Sequence, residues 1–128
     1  MTHDDLRIRL AEAQGWTDIM VPGPRPRMGE DVTGMPPEGH GPGYRTEIPD
    51  PLESDRDAAL LRAWCVGRGW AVETRHTCGP SMASIICPPG HDEYFCIVAD
   101  AEEPDPCRRE RLALCRTVLQ VIEAGGEA

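Results

Sequence analysis

Residues 50–98 read DPLESDRDAALLRAWCVGRGWAVETRHTCGPSMASIICPPGHDEYFCIV, and this stretch decides the fold. Asp50-Pro51 or Ser54 opens a helix, the latter with Asp57 as a capping-box-like acid. Leu60, Leu61, Trp64 and Cys65 give that helix an apolar face, and Gly67-Arg68-Gly69-Trp70 turns it into a strand. Trp70, Val72, Thr74 and His76 alternate with Ala71, Glu73 and Arg75, the period of a half-buried strand. Cys78-Gly79-Pro80 makes a turn, 81–87 a second strand, Pro88-Pro89-Gly90 another turn, and 93–99 a third strand. The result is an antiparallel meander, and three strands need cover on at least one face.

Helices on both sides of this segment supply that cover. Leu6, Leu10 and Ala13 recur at i, i+4 and i+7 and predict a helix over 3–14, with Asp4 and Asp5 at its positive end and Gly15 as its stop. Trp16 and Ile19 are expected to pack back on the domain. After the acidic hinge 100–105, a last helix over 104–123 carries a stripe of Cys107, Leu114, Cys115, Val118, Leu119 and Ile122. Between these elements lies 22–43, in which 12 of 22 residues are Pro or Gly and only Met28, Val32 and Met35 are apolar. It is expected to form no packed element of its own. It reads either as a floppy connector or as a docking arm with Arg25, Arg27, Tyr44 and Arg45, and 44–49 as an extended piece leading to the second helix. The fold expected is α+β: one small three-stranded antiparallel sheet packed by two or three helices, a single domain over 1–128 with its core in 50–123.

Bulk properties narrow the function classes. With 128 residues and a 40% apolar share, the chain is long enough for a core without staples. Apolar runs such as Ile85-Ile86-Cys87 fall far short of the roughly 20 residues a bilayer span needs, so no membrane segment is expected. An acidic start with no apolar segment after it reads as no secretory signal, which predicts the cytoplasm and reduced thiols at Cys65, Cys78, Cys87, Cys96, Cys107 and Cys115. The net charge of −9 repels nucleic acid and anionic membrane and favours a basic partner. All 13 bases are arginine, a bias that fits a GC-rich genome as well as any binding role.

Few residues suggest chemistry. His76, Cys78, Cys87 and His91 could in principle be four zinc ligands, but the strand 81–87 spans about 20 Å at about 3.3 Å per residue and holds Cys78 and His91 at opposite ends. His76 with Cys78 is a Cys-His pair without a third orienting group. Cys65, Cys96, Cys107 and Cys115 fall on or beside apolar faces, where cysteine behaves as a small hydrophobe. No phosphate loop, dinucleotide fingerprint or nucleophile elbow is present. Arg108, Arg109 and Arg111, interleaved with Glu110, read as a solvated, salt-bridged face. Neither a cofactor nor a metal is expected, and no catalytic residue is identified.

Four features together resemble the phage ABA sandwich domain family: a helix running into Gly15-Trp16, the run Tyr44-Arg45-Thr46-Glu47-Ile48 before the second helix, Gly69-Trp70 opening a strand, and Arg109-x-Arg111-Leu112-Ala113-Leu114 in the closing helix. The resemblance implies helices against a small antiparallel sheet in a small phage or prophage protein and carries over no catalytic or binding residue. With the charge, it points to a non-enzymatic accessory protein that binds a host or phage protein, such as an anti-CRISPR-like inhibitor of a host defence, through Glu102, Glu103 and Asp105. The alternatives are a self-associating structural protein that pairs a sheet edge with a second copy, and a cysteine-based metal module.

Overall fold

Two tryptophan corners organise the chain, one in each of two compact units, Met1–Pro49 and Asp50–Ala128. The computed structural model describes residues 2–23, 31–39, 41, 43–76, 79–88 and 92–125. The fold is α+β, with three helices and two three-stranded antiparallel sheets where one sheet was expected.

In the first unit, α1 (His3–Ala13) starts at a complete capping box: the Thr2 hydroxyl accepts from Asp5 N–H at 3.1 Å and the Asp5 carboxylate accepts from Thr2 N–H at 3.2 Å. It ends at Gly15, whose φ of 97° is open to glycine at little cost. Gly15 N–H donates to Glu12 C=O and Trp16 N–H to Ala11 C=O, the two bonds of a Schellman cap. Trp16 then packs with Ile8 and Ile19 against buried Ala11, Val32 and Ile48, as expected for Trp16 and Ile19. The inward face differs from the expected one: Arg7 and Ala11 are buried, and Ala13 is only half-buried.

β1 (Thr17–Met20), β2 (Thr33–Met35) and β3 (Thr46–Glu47) pair in that order. The expectation of no packed element in 22–43 is therefore corrected at 32–35. Val32 is a core residue, and Gly34 is a strand residue beside Ile19, Ile48 and the Thr17 carbonyl, where a Cβ would come within 3.1–3.2 Å of its neighbours. A single Val and a Gly used for close approach leave almost no hydrophobic pattern to read. Buried Arg7 closes the unit. It binds both Asp31 carboxylate oxygens at 2.8 and 3.1 Å, and it donates to the carbonyls of Ile48 at 2.6 Å and Pro49 at 3.0 Å.

In the second unit, α2 (Asp55–Gly67) starts at Ser54, the second of the two expected caps. Asp57 donates its N–H to the Ser54 hydroxyl, but its carboxylate accepts from Asp50 N–H at 2.8 Å rather than from Ser54, so the capping box is open. Gly69 (φ 85°) and Trp70 repeat the Schellman cap of α1 through Gly69 N–H to Val66 C=O and Trp70 N–H to Cys65 C=O. Trp64 meets Trp70 edge-on at 5.5 Å, and the Arg68 guanidinium lies 4.8 Å from the Trp64 ring.

β4 (Ala71–His76), β5 (Ser81–Cys87) and β6 (Asp92–Val98) form the expected meander, and α3 (Pro106–Glu123) lies across β5 and β6. The core holds Leu61, Cys65, Trp70, Ala83, Ile85, Val98, Ala113, Leu114, Cys115, Val118 and Val121. Of the predicted apolar faces, Trp64 and Ile122 are only half-buried and two further members are exposed. Cys107 is exposed in the first turn of α3, and Leu60 is 53% exposed because it lies about 100–160° round α2 from buried Leu61, Cys65 and Ala58. Buried Thr117 instead faces the sheet, with its hydroxyl 3.3 Å from Ala83 C=O and 2.8 Å from Ala113 C=O.

Arg109 is buried as well, which corrects its placement on a solvated face. Its Nε donates to Ser81 Oγ at 3.1 Å and its Nη1 to the carbonyls of Glu103 at 3.0 Å and Pro104 at 3.4 Å. Replacing Arg109 by Ala strands those acceptors, and unfolding in denaturant should show a loss of about 2–4 kcal/mol. Arg56→Ala, on the exposed side of α2, should stay within about 0.5 kcal/mol. Equal losses for the two variants would contradict the role given to Arg109.

The Arg7 guanidinium holds the Asp31 carboxyl below the usual carboxylate range. A depressed folded-state pKa gives stability that is present above the unfolded value and is lost as pH falls through the folded one. Asp31→Asn should therefore destabilise the protein at neutral pH, and the gap to wild type should close as pH drops below about 4. Denaturation curves over that range check it, and a gap independent of pH would refute it.

Candidate functional site

Strand alternation sets which side chains of the second sheet meet α3 and which do not. Ser81, Ala83, Ile85 and Cys87 of β5 are buried, and with Val72, Thr74, Tyr94, Cys96 and Val98 they make the inner face. The outer face is built from three cross-strand rows: Arg75, Met82 and Ile97; Glu73, Ser84 and Phe95; Ala71, Ile86 and Glu93. Phe95 and Ile97 are each 56% exposed and Ile86 38%, with Met82 half-buried beside them. The only phenylalanine of the chain thus stands on a solvent-facing sheet surface. Three strands at about 4.8 Å spacing and seven residues at about 3.3 Å give this face roughly 300 Å² in plan. Apolar side chains gathered on one face at this scale mark a binding surface more often than the same residues scattered singly.

The acids expected to bind a partner are all engaged within the unit. Asp105 is the N-cap of α3, accepting from Cys107 N–H at 3.0 Å. Glu102 is paired with Arg116, which holds its carboxyl below the usual range. Glu103 lies 3.8 Å from Arg108 and gives its carbonyl to Arg109. The three acids do lie together at the start of α3, with Glu102 and Asp105 exposed.

The neighbouring arginines have separate roles. Arg108 pairs with Glu53 at 2.9 Å, and Arg111 bonds Asp55 at 2.6 Å and Leu52 C=O at 2.7 Å. Between α2 and α3 a groove of about 210 Å³ is lined by Asp55, Arg62, Cys107, Glu110 and Arg111. Arg62 also donates to Thr74, whose hydroxyl donates to Glu110 at 2.8 Å.

Cys78 and His91, which belong to the four-ligand reading, lie outside the described residues, as do Arg25 and Arg27 of the expected arm. Tyr44 of that arm is 68% exposed, whereas Arg45 is held by Asp18 and Thr33. Among the described residues, no group of three or more His, Cys, Asp or Glu is placed to hold a metal ion. No described helix is long and apolar enough to cross a membrane.

The thiols sort by environment. Burial pushes Cys65 and Cys115 up to about 12, and Cys87 and Cys96 are raised for the same reason. A thiolate at Cys65 or Cys115 is thereby suppressed at neutral pH, whereas Cys107 is exposed. No protein-family model, curated protein or solved structure matches the chain.

Alkylation of the native protein, mapped by peptide mass spectrometry, should label Cys107 on the order of 100-fold faster than Cys65 or Cys115. The three should converge only in denaturant. Native labelling of Cys115 at the Cys107 rate would contradict the packing of α3.

Proposed function

We propose that the protein is a non-catalytic binding protein that docks a partner protein on the outer face of the β4–β5–β6 sheet. The observation that carries this reading is the cluster of Phe95, Ile97 and Ile86, exposed together on that face. Glu93, and Glu73 in its pair with Arg75, flank the cluster, and the chain carries a net charge of −9. The partner's contact surface is accordingly apolar with a basic rim, drawn in by long-range attraction.

A face of roughly 300 Å² is smaller than the ~800 Å² each partner contributes to a standard interface. A stable complex therefore needs contacts beyond the sheet, and Glu102, Glu103 and Asp105 remain the proposed second contact. We further propose, on the resemblance noted in the sequence alone, an accessory protein of phage or prophage origin acting in the bacterial cytoplasm against a host defence complex.

The test is affinity capture from a bacterial lysate with the wild-type protein and with a Phe95→Glu, Ile97→Glu double variant. The proposal predicts a stoichiometric partner retained by the wild type and lost from the double variant, whose circular dichroism is unchanged. A nuclease effector in that position would mark a defence inhibitor. Retention of the same partner by both proteins would rule the sheet face out.

A further inference from the structure

The second sheet has two edges, β4 and β6, and they differ in charge pattern. On β6 the only charged residues are Asp92 and Glu93, at one end of the strand. Two copies paired along β6 would bring acids to the seam with no base on either strand to neutralise them. On β4, Glu73 and Arg75 alternate on the outer face, with side chains 55% and 61% exposed and 2.7 Å apart within one chain.

A strand that pairs antiparallel with its own copy has a two-fold axis through one residue, and the choice of that residue fixes every opposed pair. An axis at Glu73 sets Glu73 against Glu73 of the second copy, and an axis at Arg75 sets arginine against arginine. An axis at Thr74 alone opposes Glu73 to Arg75 twice over, and directly opposed opposite charges stabilise a ladder whereas like charges destabilise it.

We propose that this chain forms a homodimer by antiparallel pairing of β4 with β4 of a second copy about an axis at Thr74, over residues 72–76. Among the described residues no strand occupies the outer side of β4, and its backbone groups there are the unpaired row that an edge strand presents. The two chains then share one six-stranded sheet in which the intrachain Glu73–Arg75 pair becomes part of a four-charge network. Both outer faces point the same way, with the two Phe95 positions about 24 Å apart at a strand spacing of about 4.8 Å. This inference goes beyond the binding reading and stands without it.

Sedimentation velocity of the full chain at low ionic strength provides the test, using Glu73→Arg and Arg75→Glu as separate proteins. Both positions are solvent-exposed, and circular dichroism verifies that each variant is folded. Wild type should sediment as a dimer, and each variant alone should dissociate with a Kd raised roughly tenfold or more, because its seam opposes like charges. An equimolar mixture of the two variants should recover the dimer. There, the strand with arginine at both positions lies against the strand with glutamate at both, and every opposed pair is of opposite charge. No intrachain effect predicts that recovery. The proposal is overturned by a monomeric wild type at high concentration, which would mean that α2, packed against β4, screens the edge. Variants as dimeric as wild type, or a mixture that stays monomeric, would overturn it equally.

Discussion

The hydrogen bond from buried Arg109 to Ser81 ties α3 to one face of the second sheet and so sets which face stays exposed. Ser81 is the first residue of β5, and its side chain marks the face of the sheet on which α3 lies. Because side chains alternate along a strand, that one assignment sends Ala83, Ile85, Cys96 and Val98 inward and Phe95, Ile97 and Ile86 outward. A slip of one residue would reverse the two sets. Thr117, bonded to the Ala83 carbonyl from the same helix, holds the same assignment about two turns away. Arg109 also takes up the carbonyls of Glu103 and Pro104, where the chain turns into α3, so one side chain fixes the entry of the helix and the face it covers.

The first unit meets a like requirement with Arg7. The carbonyls of Ile48 and Pro49 lie at its buried end, and a guanidinium with five donors can satisfy them and a carboxylate together. The two units share a further device. Each begins with a capped helix that stops at a glycine of positive φ, continues through a tryptophan and runs into a three-stranded antiparallel sheet. The tryptophan amide completes the cap while its ring packs beside the helix it has just left, so a two-residue Gly-Trp signal settles both the end of the helix and the direction of the strand.

The helix end was legible in the sequence at both places and the strand after it at Gly69-Trp70 alone; all three helices and the strands over 70–98 were legible too, because capping residues and periodicity of 3.6 and 2 act locally. The sheet of the first unit was not. β2 has three residues, one of them Gly34, and β3 has two, so neither is long enough to show alternation. Arg7 and Arg109 sit at helical positions that pattern reading assigns to solvent. Their burial depends on a carbonyl 41 residues from Arg7 and a hydroxyl 28 residues from Arg109, which no local window contains. Leu60 erred in the opposite sense: an apolar residue is read as core unless the element covering it is known. The acids at 102–105 lie together because they are near neighbours in the chain, but the cap at Asp105 and the pair between Glu102 and Arg116 depend on the fold.

The binding proposal rests on α3 covering one face of the second sheet and leaving the other bare. Hydroxyl-radical footprinting of the free protein measures that directly. Phe95 should be oxidised rapidly and Trp70, 5% exposed at the Gly-Trp corner, should be protected, although the indole is intrinsically the more reactive group. Protection of Phe95 equal to that of Trp70 would mean that the outer face is covered within the chain itself, and the account would fail at its centre.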